Sequence, residues 1–108
     1  MKKLLLLLMF IPVLHNAQTI NFTDPVLKAK LLSASPDNNI AYGNGGYIKI
    51  DINNDMEIQL SEAAVIDSLN IQGMPGNVIT NLAGLSGFVN LKKLDISDNA
   101  ISYIQLNL

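Results

Sequence analysis

The clearest pattern of apolar and polar positions lies near the end of the chain. Apolar residues occupy Leu91, Leu94, Ile96 and Ile101, and the polar Asn99 interrupts them. Leu94 and Ile96 are two residues apart, so on a short strand their side chains point to the same side. The pattern predicts a strand with one buried face, followed by a turn at Asn99. The amide of Asn99 can bond to the backbone of its own and of the neighbouring segment.

The apolar pattern also recurs along the chain. Ile79 recurs as Ile101 and Leu82 recurs as Ile104, with the same number of residues between each position and its copy. This interval is within the period of leucine-rich repeats, roughly 20–29 residues, in which each repeat supplies a strand and a return segment. An isolated strand and loop would explain the pattern once but would not explain its recurrence.

An earlier copy of the pattern is distorted. Ile66–Ile71 carries its first three apolar positions, and three extra residues within Gln72–Gly76 bring the later positions into register, so that Leu69 corresponds to Leu94. A further copy begins after residue 100. We therefore expect an α/β solenoid of leucine-rich repeats over residues 66–108, with short parallel strands and about two and a half repeats of a longer, truncated array.

Residues 1–17 predict a secretory signal peptide. Lys2 and Lys3 precede an apolar run, Leu4–Leu14, and a short polar exit ends at Ala17. This run falls well short of the roughly 20 residues that span a bilayer. We expect cleavage after Ala17, a secreted or cell-surface location, and no membrane insertion after cleavage.

Composition narrows the possible chemistry. From Gln18 onward the chain has five Lys against nine acidic residues, a formal charge of −4, and no Cys, Arg, His or Trp. It therefore lacks a basic surface for nucleic acid and lacks the thiol and imidazole groups of most nucleophilic and zinc sites. A carboxylate pair such as Asp95 and Asp98 lies at a strand end and a turn, with no pocket implied. We expect a protein that is not an enzyme.

Residues 18–65 predict an N-terminal cap. Asp24 is an N-cap residue directly before the proline that begins an apolar-striped segment, so the pattern predicts a helix over Pro25–Leu32. Gly43–Gly46 predicts a hairpin turn before a strand over Tyr47–Ile50. We expect this segment to cover the open end of the first repeat.

The most suggestive chemistry lies in Asp51–Glu62, whose spacing resembles the calcium loop of EF-hand and dockerin modules. A calcium ion takes six to eight oxygens, and alternate residues of a tight twelve-residue loop can aim their oxygens inward. Gln59 could act through a water. The candidate ligands are the side chains of Asp51, Asn53, Asp55 and Glu62, and the backbone carbonyl of Glu57.

One position of this loop departs from the pattern. The sixth residue of such a loop is usually a glycine with positive φ, and here it is Met56. An L-residue bears that conformation at a cost on the order of 1 kcal/mol. The alternative is a turn rich in Asn and Asp that bonds only to itself. Calcium is the one cofactor that the sequence suggests.

From Asn21 to Leu108 the chain resembles the N-terminal part of secreted leucine-rich repeat proteins of Gram-negative bacteria that use type IX secretion. In these proteins a short helix and a D-x-N-x-D loop precede the first repeat. In this chain Asp24 with Pro25 corresponds to the start of that helix, and the loop described above corresponds to the D-x-N-x-D loop. The resemblance implies a non-catalytic protein-interaction or adhesion module, packed against downstream repeats of its own full-length chain. The alternative function is a calcium-binding structural cap of a larger secreted protein.

The polar residues that alternate with the apolar strand positions are the candidate contact surface. On parallel strands they face outward together, where a protein or glycan ligand would bind. For any one of them, a side chain that is merely solvated is an equally good interpretation. The candidates are Ser68, Asn70, Gln72, Lys93, Asp95, Ser97, Tyr103, Gln105 and Asn107.

Overall fold

The structure is a computed structural model and describes residues 18–102. The predicted leader, and the candidate contact residues Tyr103, Gln105 and Asn107, lie outside this range. Within it, no helix is long and apolar enough to cross a bilayer. In chain order the elements are helix α1 (Pro25–Leu32), strands β1 (Ala41–Gly43) and β2 (Gly46–Tyr47), helix α2 (Leu60–Ala63), strand β3 (Ser68–Asn70), a 3-10 turn (Leu85–Gly87) and strand β4 (Lys93–Asp95).

Helix α1 has the bounds that the sequence predicts. Asp24 is its N-cap, and the Asp24 Oδ1 accepts hydrogen bonds from the backbone N–H groups of Val26 (2.8 Å) and Leu27 (3.4 Å). Leu27 and Leu31, one helical turn apart, are both fully buried. These two side chains therefore anchor one side of α1 in the core.

Strands β1 and β2 form the predicted hairpin. Asn44 and Gly45 between them both have positive φ, 53° and 84°, as in a two-residue turn that matches strand twist. Strand β2 is shorter than predicted because it ends at Tyr47. Ile48 still donates its N–H to the β1 carbonyl of Ala41 (2.9 Å), but regular pairing then stops and Ile50 enters the core.

Strands β3 and β4 pair in parallel. Leu69 lies opposite Leu94, the residue that the sequence analysis aligns with it. Beyond the strand ends, Ile71 donates its N–H to the carbonyl of Asp95 at 2.9 Å. The alternation of burial in β3, with Leu69 buried between two half-buried polar neighbours, places the apolar side chains on the core side of the sheet.

The predicted open solenoid is wrong. The sheet has the order β2-β1-β3-β4, and two of its three strand pairs are antiparallel. Strand β1 pairs with the second edge of β3, with Ala41 opposite Leu69. That edge is therefore occupied by a hairpin, not by a stacked repeat. The described residues form a small globule with a mixed four-stranded sheet and two short helices.

The apolar periodicity failed to predict this architecture for a physical reason. A period of two specifies which face of a strand is buried, but it does not specify which strand lies beside it. One core joins both halves of the described chain, with Leu31, Ile58, Leu82 and Phe88 all fully buried in it. Burial of each such side chain contributes about 1.5–3 kcal/mol.

Asn99 acts as predicted, as a bridge between neighbouring segments. Its Nδ2 donates to the carbonyls of Ile71 (2.8 Å) and Ile96 (3.1 Å), and its Oδ1 accepts the N–H of Ile79 at 2.9 Å. The preceding Asp98 has a φ of 60°. This tight turn lets one amide satisfy three backbone groups of three chain segments.

Asp24 joins the start of α1 to Thr80 and Asn81. Its buried Oδ2 accepts the N–H groups of Thr80 (2.7 Å) and Asn81 (3.2 Å), as well as the hydroxyl of Thr80 (3.2 Å). Burial by itself raises the pKa of Asp24, but the four backbone N–H groups that it accepts outweigh burial and lower its pKa below the usual value. One carboxylate therefore caps α1 and holds it to a distant loop of the chain.

We expect Asp24→Asn to lower the free energy of unfolding by about 2–3 kcal/mol, since hydrogen bonds to a charged acceptor are replaced by weaker ones and an amide N–H₂ meets backbone donors. Urea unfolding at pH 7 measures the loss. Asp37→Asn is the matched control because its side chain is exposed. A loss equal to that of the control would contradict this role.

The same variant has a pH signature. A pKa lowered in the folded state means that this stabilisation is complete above the ordinary Asp pKa of 3.8 and is lost as the pH falls through the folded-state value. Below about pH 4 the wild type should therefore lose stability more steeply than Asp24→Asn. If the stability of the two proteins falls by the same amount as the pH is lowered, Asp24 is not the titrating group.

Candidate functional site

Residues 51–62, which we name the acidic loop, turn sharply at their centre. Met56, at the position where a glycine is usual, has a φ of 65°. Asn54 also has a positive φ, 58°, a conformation that Asn tolerates better than Met does. An exposed methionine adopts this conformation only where its surroundings impose it.

The first two candidate ligands, Asp51 and Asn53, share one backbone N–H donor, that of Asp55. Asp51 is 3% exposed, and its two carboxylate oxygens accept the N–H groups of Asp55 (3.3 Å) and Met56 (3.0 Å). The side-chain oxygen of Asn53 accepts the N–H of Asp55 at 3.3 Å. The oxygens at loop positions one and three therefore converge on the middle of the loop.

The carboxylate of Asp55 accepts hydrogen bonds from the second half of the loop. Its Oδ1 accepts the N–H of Glu57 at 3.0 Å and its Oδ2 accepts the side-chain amide of Gln59 at 2.7 Å. The Glu57 N–H lowers the pKa of Asp55, and the Gln59 amide adds to this shift, while partial desolvation opposes it less strongly. Asp55 is accordingly ionised at neutral pH.

The side chain of Glu57 is directed elsewhere. Its Oε1 lies 2.7 Å from the ammonium of Lys28 in α1, and both side chains are part-exposed, at 44% and 30%. A surface ion pair of this kind contributes at most about 1 kcal/mol. The pair leaves Glu57 to serve an ion only through its backbone carbonyl.

Glu62 closes the loop. Its side chain is 8% exposed, and Oε2 accepts the N–H groups of Ile52 (2.9 Å) and Asn53 (3.4 Å). Oε1 accepts the N–H of Gln59 (3.0 Å), which precedes the first turn of α2. A single carboxylate thus joins the first residues of the loop to its last residues.

These contacts define what the loop can do. Over residues 18–102 no group of three or more His, Cys, Asp or Glu side chains is arranged to hold a metal ion. The loop closes on itself through hydrogen bonds, as the alternative interpretation of the sequence expects.

The structure brings six candidate contact residues together. Ser68 lies opposite Lys93, and Asn70 lies opposite Asp95, on the sheet face that points away from the core. We name this surface, with the adjoining Gln72 and Ser97, the polar face. Asp95 accepts the hydroxyl (2.6 Å) and the N–H (3.0 Å) of Ser97, and these two bonds lower the pKa of Asp95.

A cleft of about 300 Å³ adjoins the polar face. The sequence analysis did not predict this cleft because one of its walls comes from α1. There the ammonium of Lys30 donates to the carbonyl of Gln72 at 3.0 Å, although the two residues are far apart in the sequence. No local pattern marks such a contact. The lining residues are Lys30, Asn39, Ile40, Asn70, Gln72, Gly73 and Met74.

Sequence reasoning also missed the partner of the acidic loop. Ile20 donates its N–H to the carbonyl of Ile58, and Leu60 donates its N–H to the carbonyl of Gln18, both at 2.8 Å. Thr19 therefore forms an isolated antiparallel bridge with Gln59. The alternation of Ile20 and Phe22 with polar residues is the only local signal of a strand here, and it is too short to predict a pairing partner.

In comparisons with known proteins, no family model, no curated protein and no solved structure matches the chain. The resemblance to secreted leucine-rich repeat proteins therefore stays a prediction. Inference about function depends on the geometry of the acidic loop and of the polar face.

We expect Met56→Gly to stabilise the calcium-free protein by roughly 0.5–1 kcal/mol. Relief of the positive φ should exceed the larger entropy that glycine gives the unfolded chain. Urea unfolding in a chelator measures the change. Ile52→Gly is the control: it is an exposed loop residue outside the positive-φ positions, and the same substitution there should destabilise. A Met56→Gly protein that is less stable than wild type would contradict the strain argument.

Proposed function

We propose that this chain is a non-catalytic, secreted binding module in which the acidic loop holds a calcium ion that stabilises the fold. The observation that carries the calcium proposal is the φ of 65° at Met56. Met56 stands at the loop position where a calcium loop usually has a glycine, and its N–H donates to the carboxylate of Asp51.

The loop supplies the chemistry that calcium prefers. Three carboxylates, of Asp51, Asp55 and Glu62, would more than neutralise the ion, and the Asn53 amide and the Glu57 carbonyl add uncharged oxygens. Asp51 and Glu62 are nearly buried, so part of the cost of desolvating the site is already met by folding. The lowered pKa of Asp55 keeps its carboxylate charged and ready to ligate.

Calcium would stabilise the fold through the elements that the loop connects. The loop begins after the buried Ile50 and ends in α2, and its buried Ile58 lies in the common core. An ion that binds only the folded state adds stability by mass action. Loops of this type in extracellular modules bind calcium at about 10⁻⁴–10⁻³ M, which suits a secreted protein.

The polar face supports a second part of the proposal, contact with a protein or glycan. It presents amide, hydroxyl and both signs of charge beside a cleft of about 300 Å³, the lower end of the size range for ligand sites. Catalysis by Asp95 and Asp98 is disfavoured. The lowered pKa of Asp95 makes it a poor general acid near neutral pH, and Asp98 is bonded to the amide of Gln72 at 2.6 Å.

We expect calcium to raise the melting temperature of the chain from Gln18 onward. At ten times its Kd, calcium adds about 1.4 kcal/mol, or roughly 6–11 °C for a domain of this size. Differential scanning calorimetry measures the shift, with magnesium and with sodium chloride at equal ionic strength as ion controls. Asp51→Ala should abolish the calcium shift, whereas Asp37→Ala should retain it. An equal shift in Asp51→Ala would mean that calcium binds elsewhere.

We expect the polar face to determine glycan binding. A microarray of neutral and acidic glycans of known structure provides the probe, and Asn70→Ala with Asp95→Ala should reduce the signal at least about tenfold, the usual effect of losing two or more direct hydrogen bonds. Asn21→Ala with Asp37→Ala, two exposed positions elsewhere, is the matched control. Unchanged binding by the face variant, or no bound glycan, would contradict a glycan-binding face.

A further inference from the structure

Strand β4 ends the sheet within residues 18–102, since only β3 lies beside it. On the side of β3, Lys93 donates its N–H to the carbonyl of Asp67 (3.2 Å), and the carbonyl of Asp95 accepts the N–H of Ile71 (2.9 Å). Alternate residues of a strand direct their backbone groups to opposite neighbours. The N–H and the carbonyl of Leu94 therefore point to the open edge, where another strand can pair with them.

The core side of β4 is less covered than that of β3. Leu69 and Ile71 are 2% and 0% exposed, whereas Leu94 and Ile96, at the matching positions, are half-buried. Leu69 has a strand on each side, β1 and β4, while Leu94 has a neighbour on one side among the described residues. Burial of the remaining apolar surface would favour addition of a further strand to β4.

The opposite side of β4 carries one charge of each sign. Lys93 and Asp95 are exposed and stand on either side of Leu94. The structure shows no ion pair for either residue within the part of the chain that it describes. Asp95 accepts both hydrogen bonds from Ser97 with Oδ1, which leaves Oδ2 available to a cationic side chain.

We propose that β4 pairs antiparallel with β4 of a second copy of this chain, with the two-fold axis beside Leu94. In this register the two Leu94 residues exchange both N–H···O=C bonds, because both of their backbone groups face the open edge. Lys93 then lies directly opposite Asp95 of the second copy, and symmetry repeats this contact on the other side of the axis. Such a non-hydrogen-bonded pair is the closer of the two pair types.

The order of charges along β4 favours a copy of the same strand as its partner. Lysines at a sheet edge usually oppose pairing. Antiparallel self-pairing gives each Lys93 an acidic neighbour, whereas parallel pairing in register would place like charges opposite each other. The sequence Lys-Leu-Asp is therefore complementary to itself in one of the two orientations.

This pairing would join the two polar faces. A two-fold axis perpendicular to the sheet keeps both polar faces on one side and both core sides on the other. The two Leu94 side chains then cover each other, and a ligand with repeating units would meet two identical sets of contact groups. The pairing itself depends on neither part of the proposed function, so its test needs no calcium and no glycan.

Analytical ultracentrifugation of the chain from Gln18 onward tests the pairing. The wild type should be dimeric as its concentration approaches about 1 mM and should dissociate on dilution. Lys93→Asp and Asp95→Lys each place like charges opposite each other, so each should raise the dimer Kd at least about tenfold. Asp37→Lys is the matched control, because it makes the same charge change at an exposed position outside the sheet and should not weaken the dimer.

A mixture of the two β4 variants is a sharper test. The Lys93→Asp chain has two acidic residues at the contact and the Asp95→Lys chain has two lysines, so one chain complements the other. The mixture should form a heterodimer with a Kd at least about tenfold lower than that of either variant alone. A chain that carries both substitutions has its charges exchanged and should dimerise as the wild type does, which provides a further variant if a single one fails to fold.

Chemical cross-linking tests the register in the unaltered sequence. A carbodiimide activates a carboxylate, and a lysine amine in contact with it forms an amide while the carbodiimide leaves as a urea. In an equal mixture of unlabelled and isotopically labelled chains, mass spectrometry should find peptides that join Lys93 of one label to Asp95 of the other.

The outcomes decide the proposal. A dimer that both charge reversals weaken and that their mixture restores supports it. A wild type that stays monomeric at about 1 mM overturns it, and another part of the chain or a different protein then covers β4. A dimer that neither charge reversal weakens, with no cross-link between Lys93 and Asp95 of different labels, also overturns it because the interface then lies elsewhere.

Discussion

The carboxylate of Asp24 is the contact on which the rest of the described structure depends. It accepts donors from the first turn of α1 and from Thr80 and Asn81, so it sets both the start of the helix and its place against the second half of the chain. Leu27 and Leu31 of α1 lie in the common core. Burial of a charge is costly, and here the donors surrounding it outweigh that cost, as the lowered pKa shows.

The acidic loop also buries carboxylates, but it stabilises them with donors of its own. Asp51 and Glu62 are nearly buried and are satisfied by backbone N–H groups of their own loop. The arrangement is a self-bonded turn in which the carboxylate oxygens accept backbone N–H groups.

The sheet shows which features of strand pairing an apolar pattern can predict and which it cannot. The correspondence of Leu69 with Leu94 appears as the register of β3 against β4, and Asn99 bonds to the neighbouring segments as its type and position indicate. Extension of that correspondence to a solenoid was wrong, because the hairpin of residues 41–47 occupies the second edge of β3. Sheet edges are open to any strand that can supply backbone groups, so a pattern of side chains does not select the neighbour.

Local structure could be predicted from the residues alone: the helix after Asp24, the turn at Asn44 and Gly45, and the strained backbone at Met56. Each follows from the conformations that a few adjacent residues allow. The folded chain was needed to learn that β1 lies beside β3, that Lys30 borders the cleft and that residues 18–20 pair with the acidic loop. Those contacts join segments that are far apart in the sequence, and their selection depends on packing of the whole core, which no local pattern encodes.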